Sequence, residues 1–357
     1  MPDVVFDDID SWRRFFTVTK LSVGVETAGA WIHERNELAG PIAEFVTGLI
    51  AALEGLGARV TPRDTSMHQD FVPRVVSPDA FLFSHHSIGE AVGICRYKHS
   101  YRRGFFGCDP WGYSGFSRLA RDPAMLEEAW SLPAAEARQY AHDLCIRQLA
   151  DNASKFRQPP MTLPAPEPGY VLLALQVLRD TVMQLARGEP LAFYRRVVDE
   201  SVRAGRRLVI KRHPRCTDPD TAAFLADAAT HPLVTIHENS VNQLLPAAER
   251  VVVINSSVGL ESLIHGRPTL TYGASEYAAL TTQIADSSAI AAALSGPPVF
   301  DELQVARFLW WYFERYCVRS DDPPAILAKV RDCLAWLPPR HGWRLVSSAA
   351  GPSMWQT

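Results

Sequence analysis

No Cys-x-x-Cys pair, no apolar stretch of membrane-spanning length and no excess of basic charge occur in this chain. Each absence closes a class. The six cysteines, at 95, 108, 145, 216, 317 and 333, are scattered, so their spacing suggests neither a zinc site nor a disulfide framework. They read as reduced structural thiols. A spanning helix needs roughly 18–20 apolar residues in a row, and none is present. A formal net charge of −3 lacks the basic footprint of a dedicated nucleic-acid binder. The first residues, Met-Pro-Asp-Val-Val-Phe-Asp-Asp, are acidic where a signal peptide is basic, and the expectation is a cytosolic protein. What remains is a globular composition, 47% hydrophobic and 21% charged over 357 residues. That length exceeds one comfortable core, so two domains are expected.

What is present is a repeated alternation of short apolar runs and helical patterns. Residues 20–26, 58–61 and 79–84 read as strands, and Ile42, Phe45, Val46, Leu49 and Leu53 recur at helical spacing between the first two. Further on, the runs 170–175, 207–210, 233–236, 250–254 and 267–272 alternate with helices near 190–204, 218–229, 240–248 and 257–265. The fold expected is α/β, GT-B-like, with two Rossmann-type domains facing a central cleft. The proline-rich segment 158–169 is a stiff connector. It places an acceptor-side domain at 1–160, a nucleotide-sugar-binding domain at 161–335 and a tail at 336–357, with a helix at about 324–337 and an aromatic cluster at 308–313 read as core.

Chemistry concentrates at the carboxyl ends of the second set of runs, the edge where parallel sheets bind ligands. Gln176, Asp180 and Thr181 follow the first run, and Lys211 and His213-Pro214 follow the second. Asn255, Ser256, Ser257, Gly259 and Glu261 follow the fourth. A helix starting at Ser256-Ser257 offers free N–H groups to an anion, and Gly259 allows close approach; a serine that only caps the helix, with Glu261 in a capping box, is the plainer reading. His213 suits a phosphate donor, or is a solvated loop residue. Asp180 is a candidate nucleophile or base, or equally a helix cap. In the first domain His85 and His86 end a strand, and Arg96, Tyr97, Lys98 and Ser100 lie in an aromatic and basic tract. Such a tract suits an anionic sugar, or is a solvated loop.

The tracts LLALQVLRDT, VIKRHPR and VVVINSSVGLESLIHGRPTLTYGASEY, preceded by RYKHSY and DPWGYSGFS, resemble the bacterial retaining β-Kdo transferases of capsule and lipopolysaccharide assembly. Kdo is 3-deoxy-manno-octulosonic acid, and the family's donor is CMP-Kdo. The resemblance spans about residues 80–280 and implies β-Kdo transfer with retention, no cofactor and no metal, and a glycan acceptor, lipid-linked, at the inner face of the cytoplasmic membrane. By it His213, Ser256 and Ser257 hold the CMP phosphate, Glu261 reaches the ribose, and Asp180 is the nucleophile of a double displacement. Three alternatives stay open. One is a sialyltransferase or other CMP-nonulosonic acid transferase, although Asp7-Asp8 lacks the following glycine of that motif. Another is a phosphotransferase of teichoic-acid type, and the last a non-catalytic nucleotide-sugar-binding protein.

Overall fold

A computed structural model describes residues 3–29, 37–65, 76–77, 80–162, 164–336 and 344–346. The chain forms two compact units, 1–128 together with 311–357, and 129–310.

The first unit carries β1 (Asp3–Val5), β2 (Ser22–Ala28), β3 (Arg59–Thr65), β4 (Ala80–His85), β5 (Ile94–His99) and β6 (Phe105–Asp109). Its six-stranded sheet runs β13-β6-β5-β4-β2-β3, where β13 is Cys317–Arg319 from the returning chain. Strands β3, β2, β4 and β5 are parallel, whereas β6 and β13 pair antiparallel. The helix Ala39–Gly55 lies on this sheet through Ile42, Phe45, Leu49 and Leu53, all buried, as its spacing predicts. Phe45 stacks on Phe106 with centroids 4.3 Å apart. Burying such side chains contributes about 1.5–3 kcal/mol each. The chain then reverses at Gly57, whose φ of +85° suits a residue without Cβ. Of the expected tail, residue 336 and β14 (Arg344–Val346) are described, and β14 pairs parallel with β1.

The second unit's sheet contains β7 (Tyr170–Ala174), β8 (Leu208–Lys211), β9 (Val234–His237), β10 (Ala248–Val253), β11 (Thr269–Thr271) and β12 (Thr282–Gln283), in the order β12-β11-β10-β7-β8-β9, all parallel. Read from β9, this is the doubly wound order 3-2-1-4-5-6. Helices cover both faces, so the central strands are apolar without interruption. Val171, Leu173 and Leu175 enter one core with Phe193, Val197 and Phe224; Tyr170, Leu172 and Ala174 enter the other with Leu244, Leu245 and Val253. The helix Pro190–Arg203, capped by Glu189 and started by Pro190, links β7 to β8. Because β7 and β10 are central neighbours whose crossovers leave in opposite directions, the crevice opens at their carboxyl ends.

The proline-rich segment lies between β6 and β7 and within the second unit, while the first sheet takes β13 from beyond it. By compactness, the helix Ala134–Ala150 before that segment belongs with the second sheet, and residues from 311 onward with the first.

Candidate functional site

The floor of the crevice is a reciprocal amide pair. Gln176 Nε2 donates to Asn255 Oδ1 at 2.8 Å, and the Asn255 backbone N–H donates to Gln176 Oε1 at 3.0 Å. Asn255 Nδ2 also donates to the Val182 carbonyl at 2.8 Å, while the Gln176 N–H donates to Tyr194 Oη at 3.2 Å. Both side chains are buried. They join the loop after β7 to the loop after β10, and so position the residues that follow each.

After β10, Ser256 caps the helix Ser257–Ile264, its Oγ accepting from the Val258 N–H at 3.2 Å. The capping reading is therefore right in part. The capping-box half is not, because the N3 position is Gly259 and Glu261 lies two residues further on. Gly259 has a packing reason: a Cβ there would lie 2.3 Å from Tyr277 Oη. Tyr277 crosses the helix at that point, is buried, and donates to the Ser256 carbonyl at 2.5 Å. The close approach expected of a phosphate at Gly259 is made by this ring. Ser257, half-buried, is the first helical residue.

Beside this helix start lies a segment that the sequence reading passed over. Residues 152–159, between the helix Ala134–Ala150 and the proline-rich run, strap the carboxyl edge of the sheet. Asn152 Oδ1 accepts from the Asn242 side chain at 3.2 Å and from Ser240 Oγ at 2.5 Å, and Gln158 Oε1 accepts from the Val241 N–H at 3.0 Å. Ser154 Oγ donates to Glu261 Oε1 at 2.7 Å, and the Phe156 ring meets the His213 ring edge-on at 5.2 Å. The strap brings in Lys155. Burial pulls the Lys155 ammonium down from its ordinary range, against the opposing pull of Asp180, Glu276 and Glu261. Glu261, expected at a ribose, is thus buried between Ser154 and the charges of Lys155 and Lys211.

His213 is half-buried. Burial, then the neighbouring Arg215, push its pKa down to about 4, with Asp180 acting in the opposite direction. It is neutral near pH 7, and its Nδ1 accepts from the Arg215 N–H at 3.1 Å. The ring proton therefore sits on Nε2, which makes that atom a hydrogen-bond donor. Lys211, at the end of β8, is buried and gives one N–H to the Asn239 carbonyl at 2.5 Å. A cavity of about 370 Å³ opens here, lined by Arg157, Gln158, Lys211, His213 and Glu238 among others. Three cationic side chains, counting Arg212, and one neutral donor suit an anion of phosphate size.

Asp180 is exposed and does cap a short 3-10 turn, Thr181–Leu185, by accepting from the Val182 N–H at 3.3 Å. Its charge is also felt at His213 and Lys155. Capping and proximity to the phosphate-type cavity coexist. Thr181, half-buried, opens the turn.

In the first unit the aromatic and basic tract is not a solvated loop. It forms β5, and Arg96, Tyr97, Lys98 and Ser100 are all buried. Arg96 donates to the Pro110 carbonyl, Tyr97 Oη donates to the Glu26 carbonyl at 2.8 Å, and the Lys98 ammonium sits 3.7 Å from the Tyr113 ring centre. Ser100 begins the turn into β6, its N–H donating to the Phe105 carbonyl at 2.7 Å. His85 stacks on Tyr97 and His86 on Tyr113, at 5.1 and 5.0 Å. Burial holds His85 well below its usual pKa, hence neutral. His86 adopts φ +53°, an uncommon conformation for a residue with a side chain.

Lys155, Ser154, Phe156 and Glu276 were not anticipated. The polar tract Asn-Ala-Ser-Lys-Phe-Arg-Gln before the prolines was the available signal for the first three. Glu276 and Tyr277 stand in the quoted GASEY text.

The model of the family described as capsule polysaccharide biosynthesis protein matches residues 132–292, which include every second-unit residue named above. Protein FixF of Sinorhizobium fredii is 30% identical over 233 residues, covering 60% of this chain; the chain spans 56% of FixF's length. Two Thermosulfurimonas dismutans KpsC structures, a β-Kdo 2,4 transferase and a β-Kdo 2,7 transferase, superpose with TM-scores of 0.52 and 0.51 at 16% and 15% identity. They cover 88% and 87% of this chain and 98% of their own. The fold class is accordingly that of GT-B transferases. Residues 132–292, just under half of the chain, match the capsule polysaccharide biosynthesis protein model, and the fold is shared with the KpsC β-Kdo transferases.

Proposed function

We propose that this chain is a glycosyltransferase of bacterial surface-glycan assembly that moves β-Kdo from CMP-Kdo to a glycan acceptor with retention. The observation that carries the reading is the grouping of a carboxylate, Asp180, with a phosphate-type cavity lined by a neutral His213 that carries its proton on Nε2. The match to the capsule family and the shared fold with β-Kdo transferases support the choice of donor.

Retention follows from two inversions. The Asp180 carboxylate attacks the anomeric C2 of Kdo, and the C2–O bond to phosphate breaks with its electrons going to CMP. His213 Nε2–H and the cations Lys211 and Arg157 stabilise the charge that grows on the departing phosphate. An acceptor hydroxyl then attacks C2 from the other face and gives its proton to water, and the Asp180 O–C2 bond breaks with its electrons returning to the carboxylate. Lys155, a cation close enough to Asp180 to feel its charge, is the residue assigned to the carboxylate of Kdo. With the leaving group held by protein cations, the transfer needs no metal. The acceptor is lipid-linked glycan, which the protein reaches from the cytoplasmic side. Among the described residues no helix is long and apolar enough to cross a membrane.

The test is to incubate the purified protein with CMP-Kdo generated in situ, following CMP release and intact-protein mass. Release of CMP, with a Kdo adduct that vanishes in Asp180→Ala, is the expected result. Turnover of CMP-sialic acid or of a CDP-polyol instead would reassign the donor. Tight CMP binding without turnover would make the chain a binding protein.

A further inference from the structure

Three cysteines far apart in the sequence meet inside the first unit. Cys95 lies in β5, Cys108 in β6 and Cys333 in the helix Pro323–Leu334. Their sulfur atoms all lie within 4.8 Å of one another, and all three side chains are buried. Topology explains the meeting. Cys108 pairs with Tyr97 across the antiparallel β5–β6 ladder, and Cys95, two residues before Tyr97, points to the same face. The helix brings Cys333 onto that face, with Cys333 Sγ 3.2 Å from Cys95 Sγ.

One turn before Cys333 stands Lys329, itself buried, with its ammonium donating to the Arg315 carbonyl at 2.6 Å. Lysine is almost never buried without a counter-charge. Asp332, on the same helix, supplies a counter-charge, and the Lys329 charge also reaches Cys108 and Cys333. Among the described residues no histidine or carboxylate joins the sulfur group. Zinc in structural sites takes four ligands, and soft cations such as copper(I) favour thiolates alone.

We propose that Cys95, Cys108 and Cys333 form a three-sulfur site for a soft, thiophilic cation, which pins the Pro323–Leu334 helix to β5 and β6. On binding, each thiol gives its proton to solvent and each sulfur donates a lone pair to the cation, with no change in oxidation state. The site is structural and separate from the residues proposed for transfer.

The experiment is titration of the reduced, metal-free full chain with copper(I), and separately with cadmium(II), read by ultraviolet thiolate-to-metal charge transfer and by the rise in Tm. One equivalent should bind, and Cys108→Ser should weaken binding at least tenfold while leaving the circular dichroism unchanged. Should that variant not fold, X-ray absorption of the copper(I)-loaded wild type decides: three sulfur ligands are expected. Absence of stoichiometric binding, oxygen or nitrogen ligands, or unchanged affinity in Cys108→Ser would overturn the proposal. So would a Cys95–Cys333 disulfide in the protein as isolated, seen as the loss of two hydrogens by mass.

Discussion

Gln176 and Asn255 hold each other across the switch point of the second sheet, each using its amide on the other at 2.8 and 3.0 Å. Truncating one leaves buried polar groups of the other unpaired, at roughly 1–3 kcal/mol. Gln176→Ala should therefore lower stability by about that amount in urea unfolding, with the slope of the transition unchanged. A loss below about 0.5 kcal/mol, the ordinary range of surface changes, would show that the pair contributes no more than an exposed contact.

Gly259 sits in a helix, where alanine is ordinarily better by about 0.5–1 kcal/mol. Here the sign should reverse, because the new Cβ would fall 2.3 Å from Tyr277 Oη and 2.6 Å from its Cζ. Overpacking of this kind costs about 1–3 kcal/mol. Gly259→Ala should destabilise the wild type, and should be close to neutral or stabilising in a Tyr277→Ala background. Equal effects in the two backgrounds, measured as a double-mutant cycle, would refute the packing account.

The second sheet was legible because its central strands are buried on both faces and stand in the text as unbroken apolar runs, their ends moving by one or two residues; the two-residue edge strand β12, partly exposed, was not read. The polar residues at those ends were legible for the same reason. β5 was misread because Arg96, Lys98 and His99 look like a solvated loop, and nothing local shows that the Pro110 carbonyl and the Tyr113 ring satisfy two of them. The 152–159 strap belongs to no helix or strand, so periodicity could not mark it, and Lys155 was missed with it. Cys95, Cys108 and Cys333 were dismissed on spacing, yet proximity set by a sheet register and a distant helix leaves no spacing to read.

Acid should weaken this fold through its histidines. His213, and His265 at the carboxyl end of the helix Ser257–Ile264, are held to about 4, chiefly by burial, against about 6.5 in an unfolded chain. Between those values the unfolded state binds more protons, so stability falls as pH drops from 6.5 and the loss is complete below 4. The buried Asp109, whose pKa is raised by burial, acts with the opposite sign. Replacing His213 by Gln should flatten the decline in urea midpoint between pH 6.5 and 4.5. An unchanged slope would mean that His213 titrates normally in the folded protein.

Asp180 and His213 should separate under mutation, because one is assigned to bond formation and the other to the leaving group. Asp180→Asn keeps an oxygen to accept from the Val182 N–H, so the turn should persist while transfer is lost and CMP still binds. His213→Ala removes one donor from the departing phosphate, and comparable single donors are worth about 10²–10³ in kcat. His213→Gln, which can still donate an N–H, should recover part of that. Lys155→Met should raise KM for the donor more than it lowers kcat, since its proposed partner is a carboxylate present in ground state and transition state alike. Steady-state kinetics with CMP release decide all three. Wild-type turnover in Asp180→Asn would exclude it as the nucleophile, and a fall in kcat alone for Lys155→Met would move that lysine from donor binding to the chemical step.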